Sequence, residues 1–324
     1  MWQVQKEGII IENRLIPLGD DLYYFDLFEL GQPWHTSAYL YNGKKKILIE
    51  TGASPSHQKI VQALRELALS LVDLDYVILT HIHLDHAGGA GLLATKAPQA
   101  KFLCHPRAKR HLVDPTKLEQ SAQLVYGDAM DLMFGEILPI SADRVFAQED
   151  GTTIRLGDRT LHFIDSPGHA KHHMCIFDPE KRVVFSGDAL GIRYLSKSTN
   201  WGFDAIFPST SPTDFDPQGV HYTVSKIAAL KPRTVLHTHF GPSDANEALE
   251  STLRESMLLA TLADETFTSN PTEDGFQEAL TVFYQQRLQA LGHNAHVDIS
   301  KLGIDLMLNS LGLLYYEKKK HTLA

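Results

Sequence analysis

Residues 80–89 read Thr-His-Ile-His-Leu-Asp-His-Ala-Gly-Gly, and this segment constrains the fold of the chain more than any other. It directly follows the apolar run Tyr76-Val-Ile-Leu79, which is typical of a buried strand. A single histidine at such a place could be a core residue with a satisfied ring. Three histidines and an aspartate within six positions indicate instead a site built on the loop that leaves the strand.

The same arrangement recurs three times later in the chain. Ligand-type residues follow the apolar runs that end at Asp165, Phe185 and Leu236, and they are His169 in Ser-Pro-Gly-His, Asp188 in Ser-Gly-Asp, and His237 and His239 in His-Thr-His. Loops at one edge of a sheet are where binding sites are commonly built. The sequence therefore predicts that these residues meet the segment at 80–89 in space.

The spacing within the first motif favours two neighbouring metal ions over one. His81 and His83 lie two residues apart on an extended segment, so their side chains leave on the same side and can bind one ion. Asp85 and His86 come after a turn and point elsewhere. The helical alternative His-Glu-x-x-His is absent from the chain.

Apolar and turn patterns predict two β-rich parts, each with helices. Strands are expected at 22–28, 37–41, 46–50, 76–79 and 101–104, then at 152–156, 160–165, 174–177, 183–185 and, as the last one, 234–236. Helices are expected at about 56–69, irregularly over a helical insert at 106–140, and from Asp216-Pro217 to Leu230. Two such halves predict two sheets packed face to face with helices outside. We expect a catalytic domain at 1–242 and a helical C-terminal extension at 243–324.

Composition excludes several classes of protein. The net charge of −9 and the lack of a long basic block argue against nucleic acid as a partner. The first fifteen residues lack the apolar core of a signal peptide, and no run approaches the roughly 18 apolar residues of a membrane span, so we expect a cytoplasmic protein. Cys104 and Cys175 follow no metal or redox spacing and are predicted to be buried free thiols.

The run His81-Ile-His83-Leu-Asp85-His86, followed in order by His169, Asp188 and His239, resembles the complete ligand set of the metallo-β-lactamase-fold metallohydrolases. The resemblance covers roughly residues 20 to 242. It implies an α+β fold, namely a four-layer αββα sandwich of two mixed β-sheets flanked by helices. It also implies that the first metal is held by His81, His83 and His169, that the second is held by Asp85, His86 and His239, and that Asp188 bridges both.

Several further residues receive roles with alternatives left open. Glu50 stands where many family members have Asp and could orient a ligand imidazole, or it could be a plain acid at a strand end. His237 could support a ligand in the same way. Tyr194 could reach a substrate carbonyl oxygen, or it could be a packed aromatic. We expect His105, His111, His172 and His173 to be structural.

The resemblance implies a hydroxide bridging two divalent ions, zinc first, with iron or manganese as alternatives. Asp85 would accept a hydrogen bond from this nucleophile and pass a proton on. Diiron oxygen reductases usually carry Glu where this chain has His83, and β-lactamases usually carry Cys where it has Asp188. The glyoxalase II and lactonase-like branch remains. It implies hydrolysis of a small carboxylic ester, thioester or lactone.

Two other chemistries stay open for the same ligands. One is phosphodiester hydrolysis, and the other is oxidation by a single iron, as in sulfur dioxygenases. The partner we expect is a small molecule, and the C-terminal segment could form a homodimer. We also expect the helical insert, with Tyr126, to wall the substrate pocket.

Overall fold

The computed structural model describes residues 15–293 and 297–322. The N-terminal stretch discussed above as lacking a signal peptide lies almost entirely outside these residues. Among the described residues, no helix has the length and apolar character that crossing a bilayer requires. Cys104 and Cys175 are free and buried, as predicted, and burial raises the pKa of each thiol to about 12.

The first sheet contains seven strands that lie side by side in chain order. The strands β1 to β4 pair antiparallel, and β4 to β7 pair parallel. They are β1 (Ile16–Pro17), β2 (Leu22–Asp26), β3 (Ser37–Asn42), β4 (Lys46–Ile49), β5 (Tyr76–Ile78), β6 (Lys101–Cys104) and β7 (Val145–Ala147). The parallel half places the carboxyl ends of β4, β5 and β6 at one edge of the sheet.

The second sheet contains six strands in the order β15-β14-β11-β10-β9-β8. Only β11 and β14 pair parallel. The strands are β8 (Thr153–Leu156), β9 (Arg159–Asp165), β10 (Met174–Asp178), β11 (Val183–Gly187), β14 (Thr234–His237) and β15 (Gly241–Asp244). A separate ribbon pairs β12 (Ile192–Tyr194) with β13 (Ala205–Phe207).

The prediction that residues 234–236 form the last strand is wrong, because β15 follows β14 and pairs with it antiparallel. The sequence Gly241-Pro-Ser-Asp244 gives no strand signal, since Gly, Pro and Asp are all depleted in strands. Pro242 is tolerated there because β15 is an edge strand. Its outer side has no partner strand, so a missing N–H on that side costs no hydrogen bond between strands. This strand also crosses residue 242, where the sequence predicts a domain boundary.

Helices cover the outer face of each sheet. They are α1 (His57–Glu66), α2 (Leu84–Ala87), α3 (Ala90–Lys96), α4 (Pro106–Val113), α5 (Thr116–Tyr126), α6 (Met130–Phe134), α7 (Ser196–Thr199), α8 (Pro217–Ala229), α9 (Ala245–Ser269), α10 (Glu273–Leu291) and α11 (Ile304–Thr322). The helical insert thus consists of α4, α5 and α6. Asp216 caps α8 by accepting the N–H of Gln218, as its position before Pro217 predicts.

Three apolar layers hold the sandwich together and confirm the predicted αββα fold. Between the sheets, the ring of Phe185 packs edge-on against Tyr39 and Tyr41, with centroids 5.3 and 5.8 Å apart. Each buried aromatic ring contributes about 4–6 kcal/mol of gross burial energy. Outside the second sheet, Leu259 of α9 and Leu313 of α11 join the same core cluster as strand residues of that sheet. The last three helices therefore share a core with the sandwich.

The two sheets are joined at the edge that carries the ligand-type residues. The N–H of Ser37 donates to the carbonyl of Thr238 across the sheets at 2.7 Å, and the N–H of Met174 donates to the carbonyl of Thr80 at 2.9 Å. The first bond holds the loop after β14 against β3 of the first sheet, and the second holds the loop after β5 against β10 of the second sheet. The site forms at this edge.

Candidate metal centre

The seven predicted ligands come together at the joined edge of the two sheets. After β5 the chain stays extended through His83, whose backbone begins the one-turn helix α2. The rings of His81 and His83 lie 4.5 Å apart, and the turn of α2 directs Asp85 and His86 toward the second sheet. Loops after β9, β11 and β14 bring in the remaining three residues.

The first cluster consists of His81, His83 and His169, whose ligand atoms all lie within 4.8 Å of one another. The Nε2 of His169 is 2.9 Å from the Nδ1 of His83. The Nε2 of His81 is buried and has no hydrogen-bond partner among the described residues. An unpaired buried nitrogen is costly unless something else satisfies it.

The second cluster consists of Asp85, His86 and His239, and its ligand atoms also lie within 4.8 Å of one another. The Nε2 of His239 is 3.2 Å from an oxygen of Asp85 and 3.2 Å from the Nε2 of His86. The side chains of both histidines are almost fully buried, whereas that of Asp85 is 25% exposed. Of these three ligands, Asp85 is therefore the one that solvent reaches most easily.

Asp188 lies between the two clusters, with one carboxylate oxygen toward each. Its Oδ2 is 3.6 Å from the Nε2 of His169 in the first cluster. Its Oδ1 is 3.2 Å from the Nε2 of His86 and 3.7 Å from that of His239 in the second. This oxygen finds no hydrogen-bond partner in the described chain. A carboxylate in this position can bind two ions at once.

The donor set fits two metal ions. Imidazole nitrogens that face one another, the unpartnered Nε2 of His81 and a buried carboxylate oxygen with no donor offer lone pairs that a cation would satisfy. Imidazole and carboxylate ligands suit zinc, iron and manganese. The clusters contain no cysteine, which separates them from closed structural zinc sites.

The electrostatics of the two clusters differ. Burial, together with neighbouring imidazoles, holds the pKa of His81 well below its usual range and lowers that of His83 to about 4. Burial also opposes the charged form of His86, but the carboxylates of Asp188 and Asp85 outweigh it and raise the pKa of His86 well above its usual range. The same carboxylates raise the pKa of His239. Protonation is thus disfavoured at the histidines of the first cluster and favoured at those of the second.

This difference predicts the order in which metal leaves on acidification. A metal entering the second cluster must displace protons from His86 and His239, so its binding weakens as pH falls. We expect the protein loaded with two zinc ions to release the second ion at a higher pH than the first. Dialysis between pH 8 and 5 with metal analysis, and circular dichroism to verify folding, would measure this. Simultaneous loss from a folded protein would contradict it.

Polar contacts behind the ligands orient their rings. Glu50 accepts the N–H of Thr80 at 3.0 Å, and its other oxygen is 3.3 Å from the Nδ1 of His86. The backbone of Glu50 has a φ of 70°, which is strained for a residue with a side chain. The Nδ1 of His239 is 3.0 Å from the carbonyl oxygen of His35. Such contacts determine which nitrogen faces the metal.

Hydrogen bonds define the surroundings of two further histidines. The Nδ1 of His237 is bonded to the carbonyl of Gly191 and its Nε2 to the hydroxyl of Ser243, so its ring contacts no metal ligand through a hydrogen bond. His173, expected to be structural, accepts the N–H of Asp188 at 3.3 Å through its Nε2. Its position four residues after His169 was the only sequence signal for this contact.

A group of residues near the second cluster was not singled out from the sequence. The Nδ1 of His35 is 2.9 Å from Glu29, and the His35 ring packs 5.6 Å from that of His239. The Nε2 of His35 is 4.0 Å from Asp305 of α11. Burial opposes protonation of His35, but Glu29 raises its pKa to about 10. The last helix thus brings an acid next to the centre.

Tyr194 is buried, and its hydroxyl donates to Asp305 at 2.7 Å. Its ring packs between Trp201 and Phe207. That the Tyr194 hydroxyl contacts a substrate oxygen stays a prediction. For this contact the hydroxyl would have to give up its hydrogen bond to Asp305.

The helical insert lies over the ligand-bearing turn. Met130 and Phe134 of the insert form one apolar cluster with Leu84 of α2. Tyr126 packs its ring 4.8 Å from Phe134. Burial raises the pKa of Tyr126, and the carboxylate of Asp85 adds to this effect. The insert is therefore close to the second cluster, and the effect of Tyr126 on substrate preference stays a prediction.

Comparison with known proteins agrees with this geometry. The family model described as Metallo-beta-lactamase superfamily matches residues 31–239. A protein of Sulfurisphaera tokodaii described as metallo-beta-lactamase fold-containing is 28% identical over 214 residues, which cover 64% of this chain and 74% of that protein. The crystal structure of an archaeal metallo-beta-lactamase superfamily protein from Sulfolobus tokodaii aligns over 91% of this chain and 98% of its own, with a TM-score of 0.64 and 23% identity.

Two relatives whose names state an activity match over shorter segments. One is a nitric oxide reductase of Moorella thermoacetica, 28% identical over 48% of this chain and 33% of that protein. The other is an atrochrysone carboxyl ACP thioesterase of Aspergillus fumigatus, 28% identical over 47% of this chain and 29% of that protein. The chain thus spans about a third of the length of each.

Proposed function

The chain belongs to the metallo-beta-lactamase superfamily, and from this premise we propose that it is a dinuclear metal-dependent hydrolase of a small carboxylic ester, thioester or lactone. The observation that carries the proposal is the position of Asp188, with one oxygen toward each ligand cluster. The first metal would be held by the first cluster and the second metal by the second. A bridging carboxylate supports two ions that act together on one bond.

The chemistry follows from the ligands and from Asp85. Bound divalent ions lower the pKa of water, so that hydroxide is available near neutral pH, and they polarise a carbonyl oxygen. Burial disfavours the ionised form of Asp85, but His86 and His239 outweigh this and hold its pKa below the usual range. Asp85 is therefore an ionised acceptor with partial exposure. It can orient a nucleophile and take up its proton.

Charges near the centre support a carbonyl substrate over a phosphodiester. The nearest cationic side chains in sequence, Lys171 and Arg193, form ion pairs with Asp214 at 2.9 Å and Asp204 at 2.6 Å. A polymeric phosphodiester needs positive charge to hold its flanking phosphates. Glu29 and Asp305 instead bring negative charge near the second cluster. A neutral or weakly charged acyl compound suits this environment better.

The thioesterase among the relatives supports the same class of bond, because that protein is described as acting on a thioester-linked acyl group. Only the thioester bond is inferred from that protein. The acyl group that the present chain accepts would depend on the residues that line its substrate pocket. Zinc is the metal we propose, with iron or manganese as alternatives.

Metal analysis coupled to a small substrate panel tests this function. We expect two metal ions per chain and turnover of a lactone or thioester with little dependence on salt. The measurement is kcat/KM for these compounds and for a bis-aryl phosphodiester, each at low and high ionic strength. A phosphodiester preferred by more than about tenfold, or ~1.4 kcal/mol in transition-state binding, would replace the carbonyl proposal with phosphodiester hydrolysis.

A second candidate is an iron-dependent oxidoreductase, which the match to a nitric oxide reductase favours. The seven ligands accept iron as well as zinc. The same protein, loaded with iron under anaerobic conditions and supplied with a chemical electron donor, should then reduce nitric oxide or oxygen at a rate above its hydrolysis of any acyl substrate. Iron as the metal retained from cells, with this activity, would favour the second candidate.

A further inference from the structure

The last helix is tied to a loop next to the first cluster. The side-chain oxygen of Asn309 on α11 accepts the N–H of Thr210 at 2.8 Å. The hydroxyl of Thr210 also donates, to the backbone carbonyl of Asn309 at 3.0 Å. Asn309 is 2% exposed and Thr210 is fully buried. Two buried hydrogen bonds from Thr210 to Asn309 hold the loop and the helix in one relative position.

Gly312 makes the close approach of helix and loop possible. A Cβ at this position would overlap the carbonyl oxygen of Thr210, so the backbones touch directly only because residue 312 is glycine. Asn309 and Gly312 lie three residues apart and thus on the same face of α11. The face of α11 that contacts the loop is therefore defined by these two residues.

The same loop carries the acceptor that orients His169. The carbonyl oxygen of Ser209 is 3.2 Å from the Nδ1 of His169. With the Nδ1 proton donated there, the Nε2 is left without a proton and faces His83 and Asp188. Ser209 directly precedes Thr210, so a displacement of Thr210 also moves the carbonyl that holds the ring.

We propose that Asn309 and Gly312 are positioning residues for the first metal, because they hold the Thr210 segment and through it the Ser209 carbonyl that orients His169. The inference rests on the proposed metal centre, in which His169 is a ligand. The metal affinity of the first cluster then depends on α11. This helix begins at Ile304, more than a hundred residues after the loop that carries His169.

The test measures the affinity of the first cluster alone. A His239→Ala background weakens the second cluster, and competition with a chromophoric chelator then reports the dissociation constant of zinc or cobalt at the first. In this background we expect Asn309→Ala and Gly312→Ala to weaken binding by about 10–100-fold, the usual effect of losing a contact behind a metal ligand. The absorption spectrum of bound cobalt should change as well, because the His169 ring turns.

The control is Leu313→Ala on the same helix. Leu313 is fully buried in the core outside the second sheet, so its truncation loosens the packing of α11 while Asn309 and Gly312 stay in place. We expect the cobalt spectrum of this variant to match that of the background protein. A second pair acts from the loop side: Thr210→Val removes the hydroxyl and should weaken binding, whereas Thr210→Ser retains it and should restore binding.

Three outcomes would overturn the proposal. Unchanged affinity and spectrum in folded Asn309→Ala and Thr210→Val would show that the contact does not act on His169. Equal weakening by Leu313→Ala would show a global loss of packing. Retention of metal by His169→Ala in the same background would instead remove His169 from the ligand set, and the proposed metal centre would fail with it.

Discussion

Asp188→Ala should lose both metal ions and at least about 10³-fold of the kcat/KM for whichever substrate the protein hydrolyses. The reason is geometric, because the two oxygens of this carboxylate face different clusters. Removing it also withdraws the negative charge that stands beside His86 and His239. Metal analysis of the purified variant after reconstitution, together with steady-state kinetics, measures both effects.

Asp178→Ala is the matched control for this variant. Asp178 is another buried aspartate, but it lies at the end of β10 that is away from the ligand clusters, and it accepts the hydroxyl of Tyr41 at 2.6 Å. We expect it to lower stability and to leave the metal content unchanged. Two ions and full turnover in Asp188→Ala would refute the bridging assignment.

Gly187→Ala should lower activity by about 10²-fold or more, since displacements of about 1 Å at a catalytic site have effects of this size. Gly187 has a φ of 50°, and a Cβ there would lie 2.5 Å from the hydroxyl oxygen of Thr80 and 2.6 Å from the Nε2 of His173. The end of β11 must then move, and Asp188 moves with it. We also expect the free energy of unfolding to fall by about 2–5 kcal/mol, from left-handed strain plus overpacking.

Gly202→Ala separates strain from crowding. Gly202 also has a positive φ, of 84°, but a Cβ there would meet nothing within 4 Å. The free energy of unfolding of this variant should fall only by the cost of the left-handed backbone, and the variant should retain activity. Denaturant unfolding and kcat/KM of both variants make the comparison. If Gly187→Ala behaved like Gly202→Ala, the crowding around Asp188 would have no effect on the site.

Most strands and most helices followed from local patterns in the chain. β6 and α8 lie within a residue of the predicted bounds, because their apolar periodicity and the cap at Asp216 are local signals. The strands β1, β7, β12, β13 and β15 were not predicted. Each is only two to four residues long, and these strands pair through partners that the neighbouring residues do not reveal.

Contacts around the ligands followed from the sequence less well than the ligands themselves. His173 was expected to be structural, and the structure places its ring against the backbone N–H of Asp188. His35 and Asp305 carried no motif at all. They lie near the second cluster because the segment before β3 and the first turn of α11 meet there, with the Nε2 of His35 4.0 Å from Asp305.

The sequence by itself determined the seven candidate ligands and the sandwich that assembles them, because each ligand directly follows an apolar strand and strand ends gather at one edge of a sheet. Only the tertiary structure decided what stands behind and around those ligands. The bond from Tyr194 to Asp305 spans 111 residues, and that from Thr210 to Asn309 spans 99. Such pairs depend on how whole layers pack, and no local periodicity encodes them. The sequence therefore located the metal centre, and the packing of the C-terminal helices determined the surroundings of that centre.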